Sequence, residues 1–307
     1  MPDTALILTA GLGTRLRPLS YVRAKPAVPV AGEPLIRRIL RYARGYGVHN
    51  AVLNLHYLPE SITAQVGDGT DLGMRVRYSF ESPVLGSAGG PRKALALLPD
   101  EDFFIINGDT LTNVDLGAIA DQHHETGALV TIAVIPNQWP ERYGGLVVDS
   151  IGRFHSVVPR GSSVRSYHVV GVQVAHPSAF AGLPLDEPAE SISGIYRSLV
   201  KKDLGAVRAF LCQADFWDVG TPADYFAASR SIGEREGRLF PHVGMGSVTD
   251  PTACLIDTIL WDRVAVGPGA SLDRCILADG VKIPAGVRLQ NCVIIQREGE
   301  LVVSDFL

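Results

Sequence analysis

A glycine-rich loop near the amino terminus is followed by two basic residues at a spacing that suits phosphate chemistry. The loop residues with small or hydroxyl-bearing side chains are Ala10, Gly11, Gly13 and Thr14. Backbone N–H groups in such a loop can approach phosphate oxygens closely. Arg15 comes next and Lys25 follows ten residues later. A triphosphate cleaved between its α- and β-phosphorus atoms needs cations beside the leaving pyrophosphate, and these two side chains can supply them.

Two common phosphate-binding loops do not fit this segment. The dinucleotide-binding fingerprint needs a third glycine where Leu16 stands, and the Gly-Lys-Ser/Thr sequence of the Walker loop is absent. The glycines alone are therefore weak evidence, and the basic residues after them carry the interpretation.

Two acidic residues could hold a divalent cation. Asp109 closely follows the apolar run of residues 103–106, so it lies at the carboxyl end of a predicted strand. Asp218 is a second isolated acid, close before a predicted helix start at Pro222. Mg²⁺ takes one or two protein carboxylates and completes its shell with phosphate oxygens and water. The alternatives are an Asn-Gly-Asp turn for Asp109 and an acid beside a helix start for Asp218.

The elements around these residues follow an α/β pattern. Up to Asp109, short β-branched runs alternate with amphipathic helical stretches, which is typical of a parallel sheet wrapped by helices. The predicted strands cover residues 5–8, 51–55, 75–80 and 103–106, and a helix of period 3.6 begins at Leu35 and ends near Gly45. The later segments are a helix at 115–125, strands at 128–135, 143–148 and 168–175, and a final helix from Pro222. They predict an insertion that builds the second wall of a cleft.

The carboxyl-terminal part has a different pattern of apolar residues. Apolar residues recur at intervals of six, at Val264, Ala270 and Ile276 and again at Val281, Val287 and Val293. This hexapeptide pattern predicts a left-handed parallel β-helix, with room for about three coils between residues 244 and 297. The predicted domains are a catalytic domain at 1–237 and a short β-helix at 244–307. We expect deletion from residue 244 onward to change the oligomeric state more than the chemistry.

Composition limits the class of protein. The 307 residues are 46% hydrophobic and 20% charged, which suits a large core and two domains. A net charge of -4 argues against nucleic acid as a partner. No apolar run is long enough for a membrane span and no basic signal region opens the chain, so we expect a cytoplasmic protein. The four widely spaced cysteines are expected to be reduced, and His123 and His124 to lie at the surface.

The glycine loop is part of a longer motif. Residues 8–36, including Gly-Leu-Gly-Thr-Arg-Leu-Arg-Pro-Leu from Gly11 and Lys-Pro-Ala-Val-Pro-Val-Ala-Gly-Glu-Pro-Leu from Lys25, closely resemble the signature of the sugar nucleotidylyltransferases. Matching segments follow in the family's order at 81–90, 107–109, 143–145 and 216–222. The resemblance covers nearly the whole chain and implies a Rossmann-like α/β core with a mostly parallel or mixed sheet. The β-helix resembles that of mannose-1-phosphate guanylyltransferases and of the longer thymidylyltransferases.

The resemblance implies an Mg²⁺-dependent enzyme that transfers a nucleotidyl group from a nucleoside triphosphate to a sugar 1-phosphate and releases pyrophosphate. It makes Asp109 and Asp218 the metal ligands. The attacking phosphate oxygen is already ionised, so no protein nucleophile is needed, and we assign Arg15 to the triphosphate and Lys25 to the phosphates at the reacting centre. The nucleotide-binding residues are then Ala10, Gly11, Gly13, Thr14, Glu81, Gly86 and Gly108. The only expected macromolecular partner is a second copy, bound through the β-helix.

The identity of the base depends on Glu81, which lies with Gly86 where the resemblance places base recognition. A carboxylate can accept hydrogen bonds from the adjacent N1–H and N2–H₂ donors of guanine, whereas uracil and thymine offer one N–H between two carbonyl oxygens. GTP is therefore slightly favoured. The alternatives are that Glu81 merely ends a strand facing water, and that the enzyme is a uridylyl- or thymidylyltransferase.

The sugar-binding segment departs from the family pattern. The expected sugar-phosphate residues are Gly144, Arg160 and Gly171. Many family members have Glu-Lys-Pro where this chain has Val-Val-Pro at 157–159, directly before Arg160. The missing acid and lysine predict an atypical sugar or a weakened enzyme. They also keep open a regulatory paralogue that binds a nucleotide sugar without making it.

Overall fold

The computed structural model describes residues 1–306, which divide into two compact units. The first, here called the sheet unit, contains Met1–Gly11, Ile36–Pro59 and Val66–Phe216. The second, the β-helix unit, contains Leu12–Leu35, Glu60–Gln65 and the chain from Trp217 onward. The segment that carries Arg15 and Lys25 therefore belongs to the unit that carries the β-helix. The domain boundary between residues 237 and 244 stays a prediction.

The secondary structure follows the predicted α/β pattern closely. The strands up to residue 218 are β1 (Thr4–Leu8), β2 (Pro29–Val30), β3 (Glu33–Pro34), β4 (Asn50–Leu55), β5 (Arg75–Phe80), β6 (Phe103–Asn107), β7 (Thr110–Thr112), β8 (Val130–Pro136), β9 (Gly145–Val148), β10 (Phe154–Val158), β11 (Tyr167–Ala175), β12 (Val207–Leu211) and β13 (Phe216–Asp218). The helices are α1 (Leu35–Gly45), α2 (Pro59–Val66), α3 (Gly86–Ala94), α4 (Leu116–Thr126), α5 (Ser178–Ala181), α6 (Tyr196–Lys202) and α7 (Pro222–Arg235). Among the described residues, no helix is both long and apolar enough to cross a membrane.

The sheet unit is built on a nine-stranded mixed sheet. Its strand order is β10-β9-β11-β6-β1-β4-β5, and β8 pairs with both β11 and β12. Strands β6, β1, β4 and β5 are parallel, while β11 runs antiparallel to β6. After β1, the chain adds β4 and then β5 on one side of β1. It then crosses back and adds β6 on the other side of β1. This switch point puts a crevice at the carboxyl ends of β1 and β6, where α/β proteins bind ligands.

The apolar strands fix that edge of the sheet. The first four residues of both β1 and β6 are buried, so these strands consist of continuous apolar runs instead of alternating polar and apolar residues. Leu6, Phe103 and Ile105 belong to one core cluster with Val130 and Val134. Each such buried side chain contributes about 1.5–3 kcal/mol, so the residues just past the strand ends are held on a rigid support.

The β-helix consists of short stacked strands in three sheets. They are β14 (His242–Val243), β15 (Val248–Thr249), β16 (Cys254–Ile256), β17 (Ile259–Leu260), β18 (Ala265–Val266), β19 (Ser271–Asp273), β20 (Ile276–Leu277), β21 (Lys282–Ile283), β22 (Arg288–Gln290), β23 (Cys292–Arg297) and β24 (Glu300–Asp305). Cys254 pairs with Ser271 and Ser271 with Arg288, so one coil takes 17 residues. An antiparallel hairpin of β23 and β24 ends the last coil.

Most of the predicted inward positions belong to the core of these coils. Val264, Ala270 and Val281 are part of the core cluster, and Val287 packs against it. Ile276 and Val293 are buried outside that cluster, and their neighbours Cys275 and Cys292 take the inward positions. The stack β14-β17-β20-β23 spans three coils, which confirms the short β-helix. The spacing of six fails once per coil, between Ala270 and Cys275, because one side of each coil is five residues long. The left-handed sense of the coil stays a prediction.

Candidate active site

A cleft of about 230 Å³ lies in the sheet unit at the carboxyl ends of the parallel strands. Its lining includes five of the site residues predicted from the sequence, namely Ala10, Gly11, Glu81, Gly86 and Asp109. Asn54 from β4 and Asn107 from β6 add amide groups to the same lining. Typical small-molecule pockets hold about 300–1,000 Å³, so this cleft suits one part of a nucleotide, such as its base and ribose.

The position of Asp109 depends on the glycine before it. The N–H of Gly108 donates to the carbonyl oxygen of Leu8 at 2.9 Å, which ties the turn after β6 to the end of β1. A Cβ atom at Gly108 would lie 2.6 Å from that oxygen and 2.7 Å from Thr9 Cγ2. Any larger residue would push the turn away from β1. Asp109 is partly buried at this turn and faces the cleft.

Glu81 does not fit the alternative that it merely ends a strand facing water. Its exposed fraction is 4%, so it does not face water. Oε1 accepts a hydrogen bond from Asn54 Nδ2 at 2.7 Å, and Oε2 accepts one from the N–H of Leu85 at 2.9 Å. A buried carboxylate needs such donors, and here the chain itself supplies them. Each carboxylate oxygen can accept a second hydrogen bond, so the reading of guanine by Glu81 stays a prediction.

Gly86 forms a rim of the cleft where α3 begins. Its φ of 75° favours glycine, and a Cβ atom there would lie 2.8 Å from the carbonyl oxygen of Ala189. The N–H groups of Ala88 and Gly89 donate to that same oxygen at 2.8 and 3.2 Å. The segment around Ala189 therefore caps the first turn of α3, so these two amides are not available to a phosphate.

The expected sugar-phosphate residues occupy two places in the sheet unit. A Cβ atom at Gly144 would lie 2.7 Å from the carbonyl oxygen of Val158 and 3.6 Å from the backbone nitrogen of Arg160, so Gly144 and Arg160 are neighbours. Both residues are exposed. Gly171 is buried, with a φ of 85°, and a Cβ atom there would lie 3.0 Å from Asn107 Cβ. Gly171 therefore packs against the end of β6, beside the cleft-lining Asn107.

Three predicted catalytic residues come together in the β-helix unit. Lys25 Nζ lies 3.9 Å from Asp218 Oδ1, and the exposed fractions of the two side chains are 7% and 10%. A Cβ atom at Gly220 would lie 2.8 and 2.9 Å from the carboxylate oxygens of Asp218 and 3.1 Å from Arg15 Cζ. Gly220 thus lets Arg15 and Asp218 approach the same stretch of backbone. A Cβ at Gly13 would likewise meet Lys25 Cβ at 3.3 Å, while Thr14 is exposed.

A buried ion-pair cluster holds the segment that carries Lys25. Arg23 Nε and Nη2 donate to the two carboxylate oxygens of Asp279 at 2.6 Å each, and Nη2 also lies 2.5 Å from Asp262 Oδ2. The guanidinium lies 5.4 Å from the ring centre of Trp261. Burial opposes the charge of Arg23, but hydrogen bonds and charge from Asp279 and Asp262 outweigh it and raise its pKa. We call Arg23, Asp262 and Asp279 the Arg23 anchor.

The adjacent histidines of α4 have separate environments. His124 is exposed, as predicted, but His123 is buried, with Nδ1 2.8 Å from Thr131 Oγ1 and Nε2 3.5 Å from Asp102 Oδ1. Burial lowers the pKa of His123, and Asp102 opposes this shift. Within residues 1–306, no three His, Cys, Asp or Glu side chains are grouped so as to hold a metal ion.

The family model described as nucleotidyl transferase matches residues 4–235. The chain belongs to this family. The match begins at β1 and ends with α7, so it includes the cleft, Asp109, Lys25 and Asp218. The β-helix lies outside the matched residues.

Relatives of this nucleotidyl transferase act on sugar 1-phosphates. The mannose-1-phosphate guanylyltransferase of Mycobacterium tuberculosis is 27% identical, over 89% of this chain and 79% of its own length. The UTP–glucose-1-phosphate uridylyltransferase of Synechocystis is 30% identical, over 76% of this chain and 64% of its own length. A crystal structure of HddC from Yersinia pseudotuberculosis complexed with GMP-PN has a TM-score of 0.64 and 26% identity, covering 75% of this chain and 99% of that one. The chain is a sugar-1-phosphate nucleotidyltransferase with the fold that the sequence predicted.

Sequence reasoning missed two polar groups in this nucleotidyl transferase. Asn54 lies between the buried Leu53 and Leu55 in β4, and a polar residue between two apolar ones is the signal that could have marked it. Arg23 stands between the loop and Lys25, but its acidic partners are more than 230 residues further along the chain. No local pattern connects residues so far apart.

Proposed function

We propose that this chain makes a GDP-sugar from GTP and a sugar 1-phosphate, with the cleft at the carboxyl ends of β1, β4 and β6 as the site of the base and ribose. The observation that carries this proposal is the convergence of Ala10, Gly11, Gly86 and Asp109 on one cleft at the switch point of the sheet. Segments from four separate parts of the sequence meet there. Convergence of this kind is expected of a ligand site and is not needed for folding alone.

The proposed reaction is an in-line displacement at the α-phosphorus of the nucleotide. An ionised oxygen of the sugar 1-phosphate forms the new P–O bond, and the bond between the α-phosphorus and its bridging oxygen breaks to release pyrophosphate. Arg15 is exposed and can reach the polyphosphate, where its planar guanidinium suits bidentate contact. Lys25 is held in place by burial and by Asp218, so its charge is positioned before the substrates arrive.

Mg²⁺ is the proposed cofactor, with Asp109 and Asp218 as the residues that would hold it. Both offer hard carboxylate oxygens, and this ion needs only one or two of them beside phosphate oxygens and water, so the donor set fits. When bound, the ion would neutralise charge on the phosphates of the substrates. Gly108 and Gly220 support this role because each allows close packing of the backbone that positions one of the two aspartates.

Guanine is the proposed base, supported by the relatives and by the position of Glu81 in the cleft lining. A guanylyltransferase and a complex with GMP-PN are among the similar proteins, although a uridylyltransferase is as well. The amides of Asn54 and Asn107 and the backbone of the loops after β1 and before α3 are the polar groups that remain near the cleft. We assign reading of the base to Glu81 and Gly86, which line the cleft together with these groups.

The proposed sugar phosphate contacts are Gly144, Arg160 and Gly171. Arg160 is exposed beside Gly144 and can take the phosphate that a lysine holds in many family members. Val157 and Val158 leave the usual contacts to sugar hydroxyls unmade, which favours a sugar other than the commonest hexoses. The same departure supports the second candidate, a regulatory protein that binds nucleotide sugars without making them.

The remaining features are proposed from the chemistry of the chain. Its four cysteines form no disulfide, and the proposed substrates are made inside cells, so we place the protein in the cytoplasm. The strands β14, β15 and β16 begin the β-helix, and we propose that a second copy of the chain binds the β-helix.

A substrate panel tests the proposed function. GTP, UTP and dTTP are each combined with mannose 1-phosphate, glucose 1-phosphate and a set of less common hexose and heptose 1-phosphates in the presence of Mg²⁺, and pyrophosphate release is measured. We expect GTP to give the highest kcat/KM, with no turnover when Mg²⁺ is removed by a chelator. Preference for UTP or dTTP would overturn the choice of base. Binding of GDP-mannose without turnover of any pair would instead identify the regulatory protein.

A further inference from the structure

A segment of the chain between α5 and α6 lies along α3, the helix that begins at the cleft. It comprises residues 183–191, and we call it the α3 strap. Near the end of the helix, Arg92 Nε donates to the carbonyl oxygen of Leu183 at 2.8 Å. Near its start, the N–H of Ala189 donates to the carbonyl oxygen of Leu85 at 2.9 Å. The strap therefore contacts α3 at both ends.

The sequence of α3 does not favour a helix by itself. It contains three glycines and Pro91, and both residue types lower helix propensity. A Cβ atom at Gly89 would lie 2.5 Å from the carbonyl oxygen of Glu187 and 3.2 Å from the backbone nitrogen of Ala189. A Cβ atom at Gly86 would lie 2.8 Å from the carbonyl oxygen of Ala189. The glycines let the strap approach the helix backbone, and the strap supplies contacts that stabilise the helix.

The side chain of Ser87 makes three hydrogen bonds to the strap. Its Oγ accepts from the N–H of Ser191 at 2.9 Å and from Ser191 Oγ at 3.0 Å, and it donates to Glu190 Oε2 at 2.8 Å. A serine hydroxyl has one donor and two acceptor sites, so all of them are used. Ser191 is 3% exposed, so water does not compete for its two bonds to Ser87. These bonds fix the first turn of α3 to the strap.

The residues that the strap holds are part of the cleft wall. Gly86 and Ser87 line the cleft, whereas none of residues 183–191 is among the described residues that line it. We propose that the α3 strap positions this wall for nucleotide binding, with Ser191 as the positioning residue. This inference rests on the proposed function of the cleft. It adds a part of the chain that sets nucleotide affinity without lining the nucleotide site.

A positioning role at this wall affects one substrate and not the other. When the strap is loosened, binding must also order Gly86 and Ser87, and the affinity for every nucleotide falls by the cost of that ordering. The proposed sugar-phosphate contacts Gly144 and Arg160 lie beside the hairpin of β9 and β10, which the strap does not hold through any of the bonds described above. Affinity for the sugar 1-phosphate is therefore expected to stay unchanged.

Ser191→Ala is the main test, because it removes one buried hydroxyl that lies outside the cleft lining. KM is measured for GTP, UTP, dTTP and the sugar 1-phosphate, and nucleotide Kd is measured by calorimetry without sugar phosphate. We expect nucleotide KM and Kd to rise about threefold to tenfold for all three bases alike, the range that one hydrogen bond supplies. KM for the sugar 1-phosphate and kcat should stay within about twofold of wild type. Ser178→Ala is the matched control, since it removes an exposed hydroxyl that bonds His176 beside α5.

A double-mutant cycle connects the effect to Ser87. Ser87→Ala removes all three bonds and leaves the N–H of Ser191 without its acceptor, so nucleotide Kd should rise at least about tenfold. Adding Ser191→Ala to that variant should raise Kd no further, because the partner hydroxyl is already gone.

Gly89→Ala disturbs the strap from the side of the helix. Alanine favours a helix more than glycine does, but its Cβ would lie 2.5 Å from the carbonyl oxygen of Glu187 and force the strap away. We expect nucleotide KM to rise at least about tenfold, while Gly182→Ala, with no atom within 4 Å of its added Cβ, should equal wild type.

Three results would overturn the positioning role. Ser191→Ala with a lower melting temperature but wild-type nucleotide Kd would identify a contact that only stabilises the fold. Selective loss of GTP in Ser191→Ala would identify direct reading of the base. Losses that add in the double variant would show that Ser191 does not act through Ser87. A wild-type protein that binds nucleotides but releases no pyrophosphate would refute the proposed function and leave the binding measurements on the strap valid.

Discussion

Arg23→Gln is the substitution that most directly tests how the β-helix supports the catalytic segment. It removes a guanidinium that contacts Asp279 twice and Asp262 once, and it leaves two carboxylates facing each other. Breaking a buried ion pair in this way costs about 3–5 kcal/mol. Arg23 is 8% exposed but Asp279 is 14% and Asp262 is 29% exposed, so partial hydration of the acids places the cost near the lower end, at about 3 kcal/mol.

Thermal unfolding and turnover together provide the assay. A loss of about 3 kcal/mol lowers the melting temperature by about 6–12 °C in domains of 150–250 residues. Because Lys25 is two residues from Arg23, we also expect kcat/KM to fall. Arg297→Gln is the matched control, since Arg297 lies 5.8 Å from the ring centre of Tyr21 in the same unit but its side chain is 65% exposed. Melting temperatures of the two variants within about 1 °C of each other would refute the reasoning.

The Arg23 anchor also changes the expected effect of deleting the β-helix, for which the sequence predicted a change in oligomeric state more than in chemistry. Deletion from residue 244 onward removes Asp262 and Asp279, and it leaves Arg23 without its two carboxylates. We now expect the truncated chain to lose chemistry as well as any subunit contacts. A truncated protein with wild-type kcat and KM would show that the segment holds Lys25 without help from the β-helix.

Three further predictions concern the metal ligands, a close approach and a titrating group. Asp109→Asn and Asp218→Asn should each lower kcat at least about a hundredfold with little change in melting temperature, and normal turnover in either would remove that residue from the metal site. Gly220→Ala should lower kcat at least about tenfold, because the added Cβ would lie 2.8 Å from Asp218 Oδ1. Gly182→Ala is the control and should leave kcat unchanged, because a Cβ added there has no atom within 4 Å. Burial lowers the pKa of His123 below the ordinary 6.5, so the folded protein binds fewer protons and loses stability as pH falls through 6.5. His123→Gln should flatten the fall in unfolding free energy, measured by urea unfolding between pH 7.5 and 5.5, by up to about 1.4 kcal/mol per pH unit, and an unchanged slope would contradict this.

The strands and the phosphate loop were predictable because their signals are local. The predicted strand at residues 75–80 matches β5, and the three others lie within one residue of β1, β4 and β6. Asp109 could be placed because a polar residue after a buried parallel strand must lie at the sheet edge. By contrast, α3 contains Gly86, Gly89 and Gly90, which lower helix propensity, and packing against Glu81 and Ala189 overrides that penalty.

The contacts of Glu81 could not be predicted for a related reason. Sequence patterns show that a carboxylate follows a strand, but they do not show which donors surround it. Its partner Asn54 belongs to the neighbouring strand β4, and the register between β4 and β5 decides that the two side chains meet. Register depends on the packing of the whole sheet. The function of the protein was therefore easier to predict from the sequence than the role of an individual residue.

The β-helix unit combines segments from both ends of the chain, which has a consequence for synthesis of the protein. Arg23 and Asp279 are 256 residues apart, so the early segment leaves the ribosome long before its partners exist. At about 5–20 residues per second, this interval lasts on the order of 10–50 seconds. During that time Leu12–Leu35 has none of its β-helix contacts, while the parallel strands of the sheet unit are already available to pair. The segment that carries Arg15 and Lys25 can therefore form its contacts with Asp262 and Asp279 only when translation is nearly complete.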